Sequence, residues 1–102
     1  MKELHTLNID SSNHVFGKLP LSGGNEVHLQ FSHWIGSPMD LDMEVSYDGG
    51  ETWMYGGGCQ GAVSAEDGIE FHFKYPGEPT HIKGSCRSEQ NISSVAKIYS
   101  GE

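Results

Sequence analysis

The chain has 102 residues, a length typical of one domain with a single core, so we expect one domain over residues 1–102. Its 14 acidic residues outnumber its 6 basic residues, and the net charge of -8 disfavours binding to nucleic acid or to an anionic membrane surface. The 14 glycines and the lack of long helix-forming runs indicate strands joined by turns.

Alternation of apolar and polar residues predicts short strands along the whole chain. In chain order the predicted strands cover residues 6–10, 14–21, 26–34, 40–47, 52–55, 69–75, 80–87 and 92–100. Pro20 places the second of these strands at a sheet edge, because proline has no amide to donate to a neighbour. The Gly-Ser-Pro segment at 36–38 is expected to break the chain between strands, and residues 60–68 are expected to form a loop with at most a weak strand.

Seven or eight strands, with turn signals about every 8 to 12 residues, predict an all-β domain. A single β-sandwich of antiparallel strands, Ig-like or jelly-roll-like, is the favoured architecture, and a small barrel is the alternative. Each predicted strand has one apolar side, so each sheet is expected to bury one face and to expose the other.

One segment, Ser-Tyr-Asp-Gly-Gly-Glu-Thr-Trp at 46–53, has a defined motif whose positions are Ser46, Asp48, Gly50, Thr52 and Trp53. This segment resembles the Asp-box, also called the BNR repeat, of sialidases and other β-rich proteins. The chemistry of the segment suits a hairpin, because an Asp side chain accepts hydrogen bonds from the next turn and glycines adopt positive φ there.

The resemblance implies a structural hairpin rather than sialidase activity. Sialidases carry several such boxes in a propeller together with an arginine triad, whereas this chain has one box and Arg87 is its single arginine. We therefore expect the Asp-box residues to stabilise the fold, and we predict no catalytic residue.

The histidines and acidic residues of the chain are candidate metal ligands. His28 and His72 lie on the outward sides of predicted strands, and they would meet with Glu70 or Glu44 if their strands were neighbours. No HxH or HExxH spacing supports such a site, so surface histidines without a metal are favoured. We predict no metal site and no cofactor.

The acidic alternation of Asp40, Asp42 and Glu44 on one strand is interpreted as a solvated strand face rather than a calcium site. Cys59 and Cys86 leave two alternatives open, a disulfide bridge or two buried reduced thiols. They do not form a CxxC motif, which disfavours a zinc or redox site.

Function is expected to depend on exposed surfaces. The small, acidic and glycine-rich chain is similar in style to accessory or decoration proteins of bacteriophage virions, so we expect a non-enzymatic structural or interaction module that docks on a protein partner or forms a homo-oligomer. The alternative is a carbohydrate-binding module in which Trp34, Trp53 or Tyr55 stacks on sugar rings.

The first ten residues show no basic start followed by an apolar block. A location in a virion, or in the host cytoplasm before assembly, is therefore favoured over secretion.

Overall fold

The computed structural model describes residues 2–10, 14–65, 68–88 and 93–101, without the side chains of residues 2, 34–38 and 61–65. The described residues form eight β-strands and no helix. The strands are β1 (Lys2–Asp10), β2 (Val15–Pro20), β3 (Glu26–Phe31), β4 (Trp34–Ser46), β5 (Met54–Ala65), β6 (Ile69–Lys74), β7 (His81–Ser88) and β8 (Ser93–Ser100).

All strand pairs are antiparallel, and they build two four-stranded sheets in the orders β1-β8-β3-β6 and β2-β7-β4-β5. Each early strand pairs with a late one: β1 with β8, β2 with β7, β3 with β6 and β4 with β5. The chain is thus one long nested hairpin wrapped into two sheets, which is the jelly-roll arrangement. The predicted all-β sandwich is confirmed in its jelly-roll form, and the Ig-like and barrel alternatives are wrong.

The core lies between the two sheets and is filled by the inward residues of alternating strands. Its largest fully buried side chains are Phe31, Leu29, Met39, Leu41, Met43, Ile82 and Ile98. The sheets approach each other closely at Gly57 on β5, where an added Cβ would lie 2.7 Å from the ring of Phe73 on β6. Tyr75 strengthens the same end of the sandwich, since its buried hydroxyl donates to the Gly56 carbonyl at 2.7 Å.

Two predicted breaks are continuous strand in the structure. β4 runs through the segment at 36–38 with a register shift between Gly36 and Met39, and β5 runs as far as Ala65, so residues 60–65 of the predicted loop at 60–68 are strand. A β-bulge absorbs extra residues in one strand without ending the ladder, which explains the continuation through 36–38, and pairing with β4 makes residues 60–65 strand. The bulge near Tyr55 uses Gly57, whose φ of 102° suits glycine.

Candidate functional site

The turn that joins β4 to β5 is organised by Asp48. Its carboxylate accepts the Thr52 hydroxyl at 2.6 Å, the Thr52 amide at 2.9 Å, the Glu51 amide at 3.1 Å and the Ser46 hydroxyl at 2.7 Å. These donors, with the Thr52 hydroxyl as the strongest, hold the pKa of Asp48 well below its usual range. The expected hydrogen bonds from the turn amides to Asp48 are present, and the hydroxyls of Ser46 and Thr52 also donate to Asp48.

The same turn is fixed to the rest of the fold by the loop that precedes β7. Thr80 accepts the Gly49 amide at 3.1 Å and donates its hydroxyl to the Ser46 carbonyl at 3.2 Å. Tyr47 donates its hydroxyl to the Pro76 carbonyl at 2.6 Å. These hydrogen bonds tie the turn to the loop before β7.

The neighbouring sheet face is the outer side of β2-β7-β4-β5 around Tyr55, and its principal residues are Val15, Asp42, Glu44, Tyr55 and Lys83. We call it the Tyr55 face. Tyr55 is 78% exposed and Val15 is 64% exposed, which is unusual for large apolar side chains on a sheet. Register explains the grouping, because Glu44 pairs with both Tyr55 and Lys83, so all three side chains point outward.

Two shallow grooves flank Tyr55. The larger, of about 530 Å³, extends from Tyr55 across β4 and β7 to β2, and the smaller, of about 290 Å³, extends toward Cys59 and Gln60. Asp42 and Tyr55 line both grooves. Glycine lines the smaller groove at Gly58, directly opposite Asp42, so no side chain from β5 covers that carboxylate.

The charges on the Tyr55 face are paired except at one position. Lys83 lies 3.6 Å from Glu44, and Arg87 lies 3.5 Å from Asp40. Asp42, between the two acids on β4, forms no salt bridge with any residue that the structure describes. The face therefore presents an exposed aromatic ring beside an available carboxylate.

The three aromatic residues predicted as ligand platforms have different surroundings. Tyr55 is open to solvent, as described above. Trp53 is half-buried, and the Lys83 ammonium lies 4.4 Å from its ring centroid, which covers one side of the indole. Trp34 begins β4, and its side chain lies outside the described residues.

A second group of polar side chains lies on the outer face of the other sheet. His28 on β3 and His72 on β6 are directly opposite each other in the ladder. Their rings stack with centroids 3.9 Å apart and an interplanar angle of 13°. Glu70 Oε1 lies 3.0 Å from His28 Nδ1 and 3.1 Å from His72 Nε2. We call this group the His-Glu-His cluster.

His28 and His72 do meet with Glu70, as expected if their strands were neighbours. Glu44, the other acid considered as their partner, belongs to the opposite sheet and pairs with Lys83. Sequence does contain part of this signal, because Glu70 and His72 are two residues apart on one strand and share a face. The pairing of β3 with β6, which adds His28, cannot be read from spacing alone.

Cys59, partly buried, and Cys86, buried, are free cysteines in the structure. Cys59 and Cys86 both pair with Leu41, one on each side of β4, so their Cα atoms are about 10 Å apart across two strand spacings. A disulfide needs Cα atoms within about 7 Å. Burial raises the pKa of the Cys86 thiol to about 12 and also raises the pKa of Cys59, so neither is an activated nucleophile.

Comparisons of the chain with protein-family models, curated proteins and solved structures find no match. The described part of the chain contains no helix of the length and hydropathy needed to cross a membrane.

Proposed function

We propose that this protein is a non-enzymatic interaction module that docks on a larger protein assembly through the Tyr55 face. The observation that carries this proposal is Tyr55 itself, 78% exposed between two open grooves on a sheet face that also carries charged side chains. Tyrosine is enriched at the centres of protein interfaces, where a rigid ring contributes contact area at a low entropy cost. When a partner protein covers the exposed ring, apolar surface is removed from water, and this burial favours binding.

The charges of the Tyr55 face indicate the chemistry of the partner. The Asp42 carboxylate lies beside Tyr55 without an ion-pair partner among the described residues, and the chain has a net charge of -8. An arginine of a partner protein would stack on the tyrosine ring while its guanidinium binds the carboxylate. The partner is therefore a protein with a basic docking segment, and a bacteriophage virion is the assembly that we favour for it.

The test is selection of binding peptides from a random-peptide display library, which does not require the partner to be identified first. The library is panned on wild-type protein and counter-selected on Tyr55→Ala. We expect enriched peptides to contain arginine or lysine, and their affinity to fall at least about tenfold for Tyr55→Ala and for Asp42→Asn. Added salt should weaken binding to wild type more than to Asp42→Asn.

Two variants on the opposite sheet serve as matched controls. Tyr99→Ala removes another tyrosine, and Glu26→Gln removes another exposed outward-facing acid, so both should bind the selected peptides as wild type does. Peptides that bind Tyr55→Ala and wild type equally well would place the docking surface elsewhere. Sedimentation of the protein alone shows whether the chain binds a second copy of itself. A monomer would indicate that the partner is a different protein.

The second candidate is a carbohydrate-binding module, and the smaller groove favours it. Tyr55, Asp42 and Gln60 line that groove, so a sugar ring stacked on the tyrosine would meet hydrogen-bonding groups at its edge. A glycan array distinguishes the two functions. A wild-type signal that disappears in Tyr55→Ala and changes little with salt would replace protein docking by glycan binding, whereas uniform background across the array would remove this candidate.

A further inference from the structure

The geometry points to a divalent transition-metal site at the His-Glu-His cluster on the outer face of the β1-β8-β3-β6 sheet. This site is independent of the Tyr55 face, which belongs to the other sheet. His28, Glu70 and His72 each offer one ligand atom, and the three atoms all lie within 4.8 Å of one another. Among the described residues, no other group of three such side chains meets this criterion.

The distances within the cluster suit a bound ion. Zinc binds imidazole nitrogen and carboxylate oxygen at about 2.0–2.2 Å, which at tetrahedral angles places neighbouring ligand atoms about 3.3 to 3.6 Å apart. The observed separations are 3.0 Å from Glu70 Oε1 to His28 Nδ1 and 3.1 Å from the same oxygen to His72 Nε2. To bind one ion, each ring must present a nitrogen lone pair to it in the ring plane, so the two imidazoles would turn out of their stacked arrangement.

The ligand types select the class of metal. Two imidazoles and one carboxylate suit zinc, nickel or copper, whereas magnesium and calcium prefer sites made of oxygen ligands. Three protein ligands leave at least one coordination position for water or for a group from another molecule. The side chain of His72 is 61% exposed and that of Glu70 is 40% exposed, so an ion reaches them from solvent without a change of fold.

The backbone holds the ligands in place before metal arrives. His28 and His72 are direct partners in the β3–β6 ladder, so their side chains leave the sheet side by side on one face. Glu70 is two residues from His72 on β6 and shares its face. A bound metal would join an interior strand to the edge strand of the sheet, so it should raise the melting temperature.

The test is titration of untagged, chelator-treated protein with Zn²⁺ and separately with Ni²⁺ by isothermal calorimetry. We expect one saturable site per chain, no heat from Mg²⁺ or Ca²⁺ at the same concentrations, and a melting temperature that rises with Zn²⁺. His28→Gln, Glu70→Gln and His72→Asn should each weaken zinc binding at least about tenfold, in the range seen when metal sites lose supporting groups.

A matched control and a direct spectroscopic readout keep the proposal falsifiable. His33→Gln removes a histidine outside the cluster and should leave zinc affinity unchanged, and amide spectra of each metal-free variant check that the fold is retained. In wild type, Zn²⁺ should shift the ¹⁵N signals of His28 Nδ1 and His72 Nε2. The proposal is overturned if wild type shows no saturable zinc binding, if His72→Asn binds as wild type does, or if the shifted nitrogens belong to other histidines.

Discussion

Asp48 binds Thr52 twice, through the threonine hydroxyl at 2.6 Å and the threonine amide at 2.9 Å. This pair closes the turn between β4 and β5, at the tip of the nested hairpin that builds both sheets. Each remaining strand pair encloses this turn along the chain, from β3–β6 out to β1–β8. The turn is therefore the place where local chemistry has the largest effect on the whole fold.

The Asp48 carboxylate should make stability depend on pH. Its folded-state pKa is lowered, so its contribution is fully present above the unfolded-state value, near 4, and is lost as the pH falls toward the folded-state value. Asp48→Asn should melt several degrees below wild type at pH 7, and the gap should narrow below pH 4. Melting curves measured from pH 7 to pH 2 check this, with Asp42→Asn as the control. An equal difference in melting temperature at pH 7 and at pH 2 would contradict the assignment of this pH dependence to Asp48.

Ser46 should contribute more to stability than the burial of its small side chain alone would. Its hydroxyl is buried, donates to Asp48 at 2.7 Å and accepts the Gly50 amide at 2.8 Å. Ser46→Ala leaves that amide without its acceptor and should cost about 1–3 kcal/mol in the free energy of unfolding. Urea denaturation measures the loss. Ser85→Ala, on the outer face of β7, should stay within about 0.5 kcal/mol of wild type, and a similar loss in both variants would refute the explanation.

Gly57 should tolerate no side chain, because the two sheets meet there. An alanine Cβ would lie 2.7 Å from the Phe73 ring, and the φ of 102° is unfavourable for alanine. Gly57→Ala should therefore cost about 2–4 kcal/mol in chemical denaturation. Gly77→Ala is the control, since its φ is 69° but its nearest neighbour is 3.7 Å away, and it should cost only about 1 kcal/mol. If Gly57→Ala and Gly77→Ala lowered the free energy of unfolding equally, backbone strain alone, and not contact with Phe73, would explain the effect at Gly57.

The two cysteines should behave as unreactive thiols in the folded protein. Cys86 is buried and its pKa is raised to about 12, and the pKa of Cys59 is raised by partial burial. A thiol-reactive disulfide reagent should modify Cys86 only after denaturation and Cys59 slowly before it, because the thiolate is the reacting form. Mass spectrometry without reductant should show two free thiols per chain. A loss of two mass units, as in a disulfide, would contradict the strand register around Leu41.

Strand positions were predictable from the sequence because alternation reports which side of a strand is buried. Ile69, Phe71 and Phe73 alternate with polar residues, and the structure turns their apolar side toward the core. Pro20 indicates an edge strand correctly, and β2 lies at an edge. The errors occur at 36–38 and at 60–65, where β4 and β5 stay paired through residues that usually end a strand.

The chain alone therefore determined the all-β class and the hairpin turn around Asp48, because both depend on residue patterns within short segments. Tertiary structure decided the rest. Pairing of distant strands selected the jelly roll, placed Asp42 beside Tyr55 and kept Cys59 away from Cys86 on opposite sides of β4. It also stacked His28 on His72, since only the β3–β6 ladder brings residues so far apart in sequence to adjacent positions on one face.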